Sequence, residues 1–455
     1  MKKGGAARAV ATKGRMNYIQ AKRLLEANGQ GQVLKFWTGL DAKARKALLA
    51  QVADIDFTEL ARCRAMLPDA VPTPKGGAVG QSSRAAAPTA PKVAELKGKA
   101  RAAAVAAGTK ELAAGRVAVL LVAGGQGSRL GFEGPKGAYP IGPVTNKPLF
   151  HFHARKVLAK TQKYGKSVPF YIMTSEANYA ATVACFREND WFGLDRKDVF
   201  FFKQGMWPGM TADGQVILDG PGHVFMSPDG HGGLLAALKR SGALADMKKR
   251  GVRSVFFFQV DNPLVEVADE AFIGYHVLER SDYTLKLCAK RDPYEKVGMP
   301  MKFGKAFKMV EYTEMTDEQC NRKGRDGKLY FLYGSPAIHV FDRAFLEREA
   351  MKPMPLHLAH KKIAQVDEKG RIVKPTEPNG YKFEKFIFDI LPDAKKAAFL
   401  AFDQKDEFSP VKNAEGSDSP ATCKADLQAK WRRQLAARGI LVEGDATLEV
   451  DPVSL

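Results

Sequence analysis

A strongly apolar stretch that runs directly into a glycine-rich loop constrains the fold of this chain more than any other feature. Residues 117–123 read Val-Ala-Val-Leu-Leu-Val-Ala, followed by Gly-Gly-Gln-Gly-Ser-Arg-Leu-Gly and then by Pro-Lys-Gly at 135–137. Few side chains shield the backbone of such a loop, so its N–H groups can approach phosphate oxygens closely. Arg129 and Lys136 add positive charge beside it. The pattern predicts a buried strand that ends at a phosphate-binding loop.

Two more common glycine motifs do not fit this loop. Gly125, Gly127 and Gly131 have the spacing G-x-G-x-x-x-G, whereas a dinucleotide-binding fingerprint needs G-x-G-x-x-G. No acidic residue stands about 20 residues further on, where that fingerprint places its ribose contact. The Gly-Lys-Ser at 165–167 is not a P-loop, because Lys160 occupies the position of the first glycine.

Apolar runs that alternate with helical patterns indicate the fold class. Several runs are continuously apolar, which is typical of strands covered by helices on both faces. We expect an α/β protein with a Rossmann-like core and a largely parallel central sheet, whose ligand lies at the carboxyl ends of the strands. The candidate strands are 117–123, 169–174, 199–202, 255–260, 284–289 and 337–341.

Changes in composition along the chain predict its domain organisation. The length of 455 residues is too great for one compact core and suits two or three domains. The predicted segments are a basic tail at 1–15, a helical N-terminal region at 16–66, a linker rich in Pro, Gly, Ala and Ser at 67–94, a main domain at 95–402 and a small C-terminal domain at 403–455.

The composition also bears on where the chain works. No apolar run approaches the roughly 18 residues that a membrane span needs, and the N-terminus lacks the apolar core of a signal peptide. The five cysteines are scattered singly, which argues against a disulfide framework and against a zinc site. We therefore expect a cytoplasmic protein with no membrane partner.

The net charge of +20 calls for a partner that carries negative charge. Nucleic acid is one hypothesis, and a small anionic substrate is the other. Residues 1–25 contain lysine and arginine but no acidic residue, so much of the excess is peripheral. Because no nucleic-acid-binding motif accompanies the charge, we favour the anionic substrate.

The glycine loop and its downstream Pro-Lys-Gly resemble the signature of the UDP-sugar pyrophosphorylase superfamily, most closely the UDP-N-acetylhexosamine pyrophosphorylases. That family usually has Thr where this chain has Ser128, a change that keeps the hydroxyl. Further blocks resemble the family in the same order along the chain. These blocks are 201–206, 226–233, 260–265, 310–314, 383–389 and 408–414.

The resemblance implies a nucleotidyltransferase that joins UTP to a hexose 1-phosphate and releases pyrophosphate and a UDP-sugar. Gln204 matches the glutamine that pairs with the edge of uracil, and Gly230 matches a position where backbone meets the nucleotide. His231 stands where the N-acetylhexosamine enzymes usually have Asn, and it resembles the UDP-glucose branch instead. The loop residues implied to bind UTP are Gly124, Gly125, Gln126, Gly127 and Ser128.

The catalytic requirement is mainly electrostatic. A sugar phosphate is close to a dianion at neutral pH, since its second pKa is about 6, and it needs no general base to attack the α-phosphorus. Arg129, Lys136 and Lys412 are the implied catalytic cations, the last from the C-terminal part of the chain. Asp261 follows an apolar strand and is the implied Mg²⁺ ligand.

The sugar site departs from the family at one position. Gly298, Glu311, Phe386 and Phe388 match positions that contact the hexose, and the two phenylalanines stand at alternate positions of an expected strand. The family has Asn in a Gly-Asn-Ile motif where this chain has Ser335. The overall resemblance to the N-acetylhexosamine enzymes favours GlcNAc 1-phosphate or GalNAc 1-phosphate as the substrate, while Ser335 leaves the identity of the sugar open. A UTP–glucose-1-phosphate uridylyltransferase and a broad-specificity UDP-sugar pyrophosphorylase are the alternatives.

Two further classes of function stay open. A UDP-sugar-dependent glycosyltransferase has a similar architecture, but such enzymes usually place Asp-x-Asp at the metal, and Val260-Asp261-Asn262 lacks the second carboxylate. A nucleic-acid-binding protein on a catalytically inactive scaffold is the other class. The presence of Arg129, Lys136 and Asp261 speaks against it. The sequence does not determine the oligomeric state.

Ser335 generates a prediction about substrate choice. The loss of an asparagine removes an amide that both donates and accepts, a change that costs about 1–3 kcal/mol of discrimination. We expect more than one hexose 1-phosphate to be accepted, and Ser335→Asn to shift preference toward N-acetylated sugars. Values of kcat/KM for glucose, GlcNAc and GalNAc 1-phosphates measure this. Strict use of one sugar, unchanged in Ser335→Asn, would show that position 335 does not set specificity.

Overall fold

The computed structural model describes residues 16–67 and 88–455, so the predicted tail at 1–15 and most of the predicted linker lie outside the described residues. The helices are α1 Tyr18–Ala27, α2 Ala42–Asp54, α3 Phe57–Ala65, α4 Gly98–Ala113, α5 Leu149–Tyr164, α6 Tyr179–Glu188, α7 Leu234–Arg240, α8 Ala243–Lys249, α9 Glu270–Leu278, α10 Asp317–Asn321, α11 Arg343–Glu349, α12 Gln404–Glu407 and α13 Pro420–Ala436.

The strands extend along most of the chain. They are β1 Val117–Val122, β2 Phe170–Thr174, β3 Val199–Lys203, β4 Met206–Pro208, β5 Leu218–Gly220, β6 His223–Val224, β7 Met226–Pro228, β8 Ser254–Gln259, β9 Tyr283–Ala289, β10 Met299–Phe303, β11 Ala306–Val310, β12 Tyr333–Asp342, β13 His357–Lys361, β14 Gln365–Val366, β15 Ile372–Val373, β16 Gly380–Glu384 and β17 Ala397–Phe402.

A seven-stranded sheet in the order β17-β9-β12-β8-β1-β2-β3 confirms the predicted α/β class. All six candidate strands belong to it, while β17 was not predicted from the sequence. Neighbouring strands are parallel except at β12, which is antiparallel to both β8 and β9. The sheet is therefore largely parallel, as expected.

Both faces of this sheet are buried, which explains the continuous apolar runs. Successive side chains of a strand point to opposite faces. Val119 and Leu121 of β1 join one apolar cluster, and Ala118 and Leu120 join the other. Because helices cover both faces, every position of the strand must be apolar.

The chain forms two compact units, and their boundaries differ from the predicted segments. The smaller unit combines the described N-terminal residues 16–67 with Met206–Asp229 and Leu356–Glu384. The larger unit holds the remaining described residues, including 403–455. Local composition does not reveal either arrangement, because each depends on contacts between distant segments.

Apolar clusters explain this division. In the smaller unit, Leu25 and Leu48 of the N-terminal helices share a core with Met210 and Phe383. In the larger unit, Trp431 of α13 packs with Phe152 of α5.

No helix within residues 16–67 or 88–455 has the length and apolar character needed to cross a membrane.

Helices α4 and α9 approach each other through glycines. A Cβ added to Gly274 would lie 1.6 Å from the Ala104 carbonyl oxygen, and one added to Gly108 would lie 1.9 Å from the Glu270 carbonyl oxygen. Since neither backbone oxygen can move independently of its helix, any larger residue would force the helices apart.

Gly274→Ala should therefore destabilise the protein. We expect a loss of about 3 kcal/mol in the free energy of unfolding, the upper part of the usual range for overpacking. Gly39→Ala is the matched control, because a Cβ at Gly39 meets no atom within 4 Å. Denaturant titration of both variants measures the difference. Equal stabilities would mean that the helices separate without cost.

Candidate active site

The glycine-rich loop follows β1 and folds back on itself. The Gly127 N–H donates to the Gly134 carbonyl at 2.9 Å, and the Lys136 N–H donates to the Gly125 carbonyl at 3.0 Å. Gly131 has φ +66°, a left-handed conformation that favours glycine. These bonds hold open a loop whose Gly125, Gln126, Ser128 and Arg129 are exposed.

A buried asparagine that the sequence analysis missed supports this loop. The Asn178 Nδ2 donates to the Ala123 carbonyl at 2.9 Å and to the Gly125 carbonyl at 3.1 Å. Its Oδ1 accepts a hydrogen bond from the Ser175 N–H at 2.8 Å. Asn178 thus fixes the start of the loop against the carboxyl end of β2.

Gln204 lies against the same loop. Its N–H donates to the Thr174 carbonyl at 2.8 Å, which holds it just beyond β3. Its side chain is 8% exposed and runs so close to Gly124 that a Cβ there would lie 2.8 Å from the Gln204 Nε2. The structure therefore brings the predicted uracil-binding amide next to the predicted phosphate-binding loop.

One backbone segment, at Val411, connects Asp261, Lys136 and Lys412. Asp261 lies two residues beyond β8, and its carbonyl accepts a hydrogen bond from the Val411 N–H at 2.8 Å. The Lys136 Nζ donates to the Val411 carbonyl at 3.4 Å. Lys412 is the next residue, so two predicted cations and the predicted metal ligand adjoin one another.

A cavity of about 170 Å³ in the larger unit collects most of the remaining predicted residues. Two larger cavities, of about 790 and 490 Å³, lie against α13 and contain no predicted site residue. The smaller cavity is lined by the predicted residues His231, Asp261, Gly298, Glu311, Ser335, Phe388 and Lys412.

An aromatic group forms one wall of this cavity. The His231 Nδ1 accepts a hydrogen bond from the Ile387 N–H at 3.1 Å, so a neutral ring carries its proton on Nε2. The ring stacks on Phe386, with centroids 5.2 Å apart and planes 19° apart, and lies 5.5 Å from Phe388. Gly230, at φ +79°, leads the chain into this turn.

The expectation that Phe386 and Phe388 occupy a strand was wrong. Strand β16 ends at Glu384, and Phe388 lies in a 3₁₀ turn, Ile387–Asp393. Both rings are half-buried, and Gly232 allows their segment to approach His231. A Cβ on Gly232 would lie 2.6 Å from the Phe386 nitrogen.

The predicted sugar residues meet at a distortion in β12. The Ser335 N–H donates to the Gly298 carbonyl at 2.8 Å, and the Ser335 Oγ accepts from the Ala337 N–H at 3.3 Å. Pairing with β9 is interrupted between Gly334 and Ile338, and Ala337 has the strained φ of +60°. Residues 335–337 therefore bulge from the sheet toward the cavity. Glu311 Oε1 is on the same wall, 3.3 Å from where a Gly298 Cβ would stand.

Sequence reasoning missed several residues that line the cavity, among them Gln259, Lys296, His339 and Phe408. His339 is 1% exposed, and burial lowers its pKa to about 3, so its imidazole is neutral. It lies within a strand, where the apolar pattern indicated core. Lys296 stands only two residues before Gly298, a closeness that could have identified it.

A glycine loop, cations and a carboxylate at the carboxyl edge of this sheet are the arrangement of a nucleotidyltransferase. The family model of UTP–glucose-1-phosphate uridylyltransferase matches residues 87–418. The chain belongs to this family, which confirms the resemblance stated from its motifs.

Three similar proteins illustrate the relationship. The mouse UDP-N-acetylhexosamine pyrophosphorylase-like protein 1 is 39% identical, over 92% of this chain and 86% of its own. The UDP-N-acetylglucosamine pyrophosphorylase of Saccharomyces cerevisiae is 37% identical, over 75% of each chain. The crystal structure of the uridine diphosphate N-acetylglucosamine pyrophosphorylase from Trypanosoma brucei is 27% identical, with a TM-score of 0.79, and the match covers 94% of this chain and 87% of that one.

The position of Gln204 leads to a prediction about base choice. If Gln204 pairs with uracil, Gln204→Ala removes the amide partner of the uracil edge, and an unpaired polar edge is costly. We expect discrimination of UTP over CTP to fall at least about tenfold. Gln162→Ala removes the same side chain from α5, away from the site, and serves as the control. A competition assay with an unchanged UTP/CTP ratio would remove Gln204 from the site.

Proposed function

We propose that the chain transfers the uridylyl group of UTP to a hexosamine 1-phosphate. A phosphate oxygen of the sugar 1-phosphate attacks the α-phosphorus, the bond to the β-phosphate breaks, and pyrophosphate leaves. The observation that carries the proposal is one cavity that joins Lys412 and Asp261 with Gly298, Glu311 and Ser335. Relatives named for UDP-N-acetylhexosamine and for UDP-N-acetylglucosamine support a hexosamine over glucose.

The residues of the site serve mainly to position charge. The sugar phosphate already carries its attacking oxygen as an anion, so no side chain needs to remove a proton. Lys136 and Lys412 would neutralise charge on the departing pyrophosphate, and exposed Arg129 would do so from the glycine loop. His231, whose Nδ1 accepts from the Ile387 N–H, would contribute to binding the nucleotide.

We propose Mg²⁺ as the cofactor. In the part of the chain that the structure describes, no group of three or more His, Cys, Asp or Glu could hold a metal by itself. Mg²⁺ fits that situation, because it usually binds one or two carboxylates together with substrate phosphates and water. Asp261 would supply the carboxylate. Bound there, the metal would neutralise phosphate charge in the transition state.

We also propose that the enzyme works in the cytoplasm. None of the five cysteines, all of which lie in the described part of the chain, forms a disulfide, and four of them are buried. Thiols of this kind suit a reducing compartment.

A panel of sugar 1-phosphates with UTP and Mg²⁺, followed by pyrophosphate release, tests the function. We expect turnover with GlcNAc 1-phosphate or GalNAc 1-phosphate. The reverse reaction distinguishes the proposed function from the glycosyltransferase hypothesis. Of the two enzymes, only a uridylyltransferase forms UTP from UDP-sugar and pyrophosphate. Failure to form UTP from any UDP-hexosamine would refute the proposal.

Asp261→Asn tests the metal assignment. The variant keeps the size of the side chain and removes its charge, so we expect the Mg²⁺ concentration for half-maximal activity to rise at least about tenfold. The thermal midpoint should change little, since the Val411 N–H bonds to the Asp261 backbone and not to its carboxylate. A Mg²⁺ titration that overlays the native curve would show that Asp261 is no ligand.

A further inference from the structure

The backbone of segment 407–412 is bonded at alternate residues to Asp261 and Asn262, which follow β8. The Ser409 N–H donates to the Asn262 Oδ1 at 3.1 Å. Two residues later, the Val411 N–H donates to the Asp261 carbonyl at 2.8 Å. Asn262 is 3% exposed, so its side chain is committed to these internal contacts.

The start of the segment is held by the same asparagine. The Asn262 Nδ2 donates to the Glu407 carbonyl at 2.7 Å. The Glu407 Oε2 accepts from the Glu266 N–H at 3.3 Å, and its Oε1 accepts from the Lys286 Nζ at 2.5 Å. Both hydrogen-bonding atoms of the Asn262 amide are therefore used, one at Glu407 and one at Ser409.

The side chains of residues 408, 410 and 412 point to the opposite side of the segment from those of residues 409 and 411. The chain leaves α12 in an extended conformation at Phe408, with φ −140° and ψ 105°. Successive side chains of an extended chain point to opposite sides. Phe408 and Lys412 both line the cavity, and Pro410 between them has no N–H to leave unpaired.

We propose that Asn262 is a positioning residue that sets the register of this segment and so places Lys412 in the cavity beside Asp261. A slip of one residue would exchange the two faces and turn Lys412 away from the cavity. The Asn262 amide opposes such a slip because its donor and acceptor recognise two backbone groups of fixed spacing. The role rests on the proposed function of Lys412 as a phosphate-binding cation.

A double-mutant cycle tests whether Asn262 acts through Lys412. Asn262→Asp keeps the acceptor for the Ser409 N–H but places an oxygen against the Glu407 carbonyl. We expect kcat/KM for UTP to fall about tenfold or more in the native background. In a Lys412→Met background the same change should cost less than about twofold. An equal loss in both backgrounds, or no loss in either, would overturn the proposal.

Asn178→Asp is the matched control. Asn178 is also buried, and its amide also donates to backbone carbonyl groups and accepts from a backbone N–H, but it holds the glycine loop. Its effect should persist in the Lys412→Met background. The comparison therefore distinguishes a change in the register of segment 407–412 from general damage to the site. If Asn262→Asp does not fold, the milder Asn262→Ser enters the cycle in its place.

Calorimetric binding of UTP provides a second readout that needs no sugar. The loss of affinity caused by the Asn262 variant should again disappear in the Lys412→Met background. If no sugar 1-phosphate is turned over, the proposed function fails, yet this binding cycle still decides the role of Asn262. If the Asn262 and Lys412 variants each lower UTP affinity independently of the other, the positioning role of Asn262 is refuted and the proposed function is not.

Discussion

The parallel pairing of β8, β1, β2 and β3 is the constraint on which the rest of the site depends. Val122, the last residue of β1, pairs with Gln259 of β8 and with Met173 of β2, so these strands end almost level. The chain leaves each strand at the same edge of the sheet. The glycine loop, Asp261 and Gln204 therefore converge without any long-range device, as in other open parallel sheets.

The glycines of the site are needed because neighbouring groups lie very close to them, more than because they make the backbone flexible. Gly124 leaves room for the side chain of Gln204, and Gly232 leaves room for the backbone of Phe386. Gly137 faces the ring of Phe150, where a Cβ would lie 2.1 Å from the Cζ. A side chain at any of these positions would displace a neighbour that the site needs. The glycines are therefore required for packing as well as for the predicted binding of phosphate.

Sequence reasoning predicted those elements that local pattern determines. The six central strands follow from apolar runs, and the family follows from its ordered motifs. The smaller unit was not predicted, because Leu25 and Phe383 meet only through tertiary contacts. Asn178 and Asn262 were missed for a related reason. Their roles lie in hydrogen bonds to backbone groups, and a backbone acceptor leaves no signature in the sequence.

Two lysines in the interior of the larger unit show that part of the high positive charge has a structural role. The Lys156 Nζ donates to the Val265 carbonyl at 2.7 Å, and the Lys430 Nζ donates to the Leu264 carbonyl at 2.7 Å. Burial lowers the pKa of Lys156 to about 7. These lysines hold the loop that follows Asp261, so part of the excess positive charge is engaged in internal contacts. A charge total therefore overstates the attraction of such a chain for nucleic acid, which depends on where each cation lies.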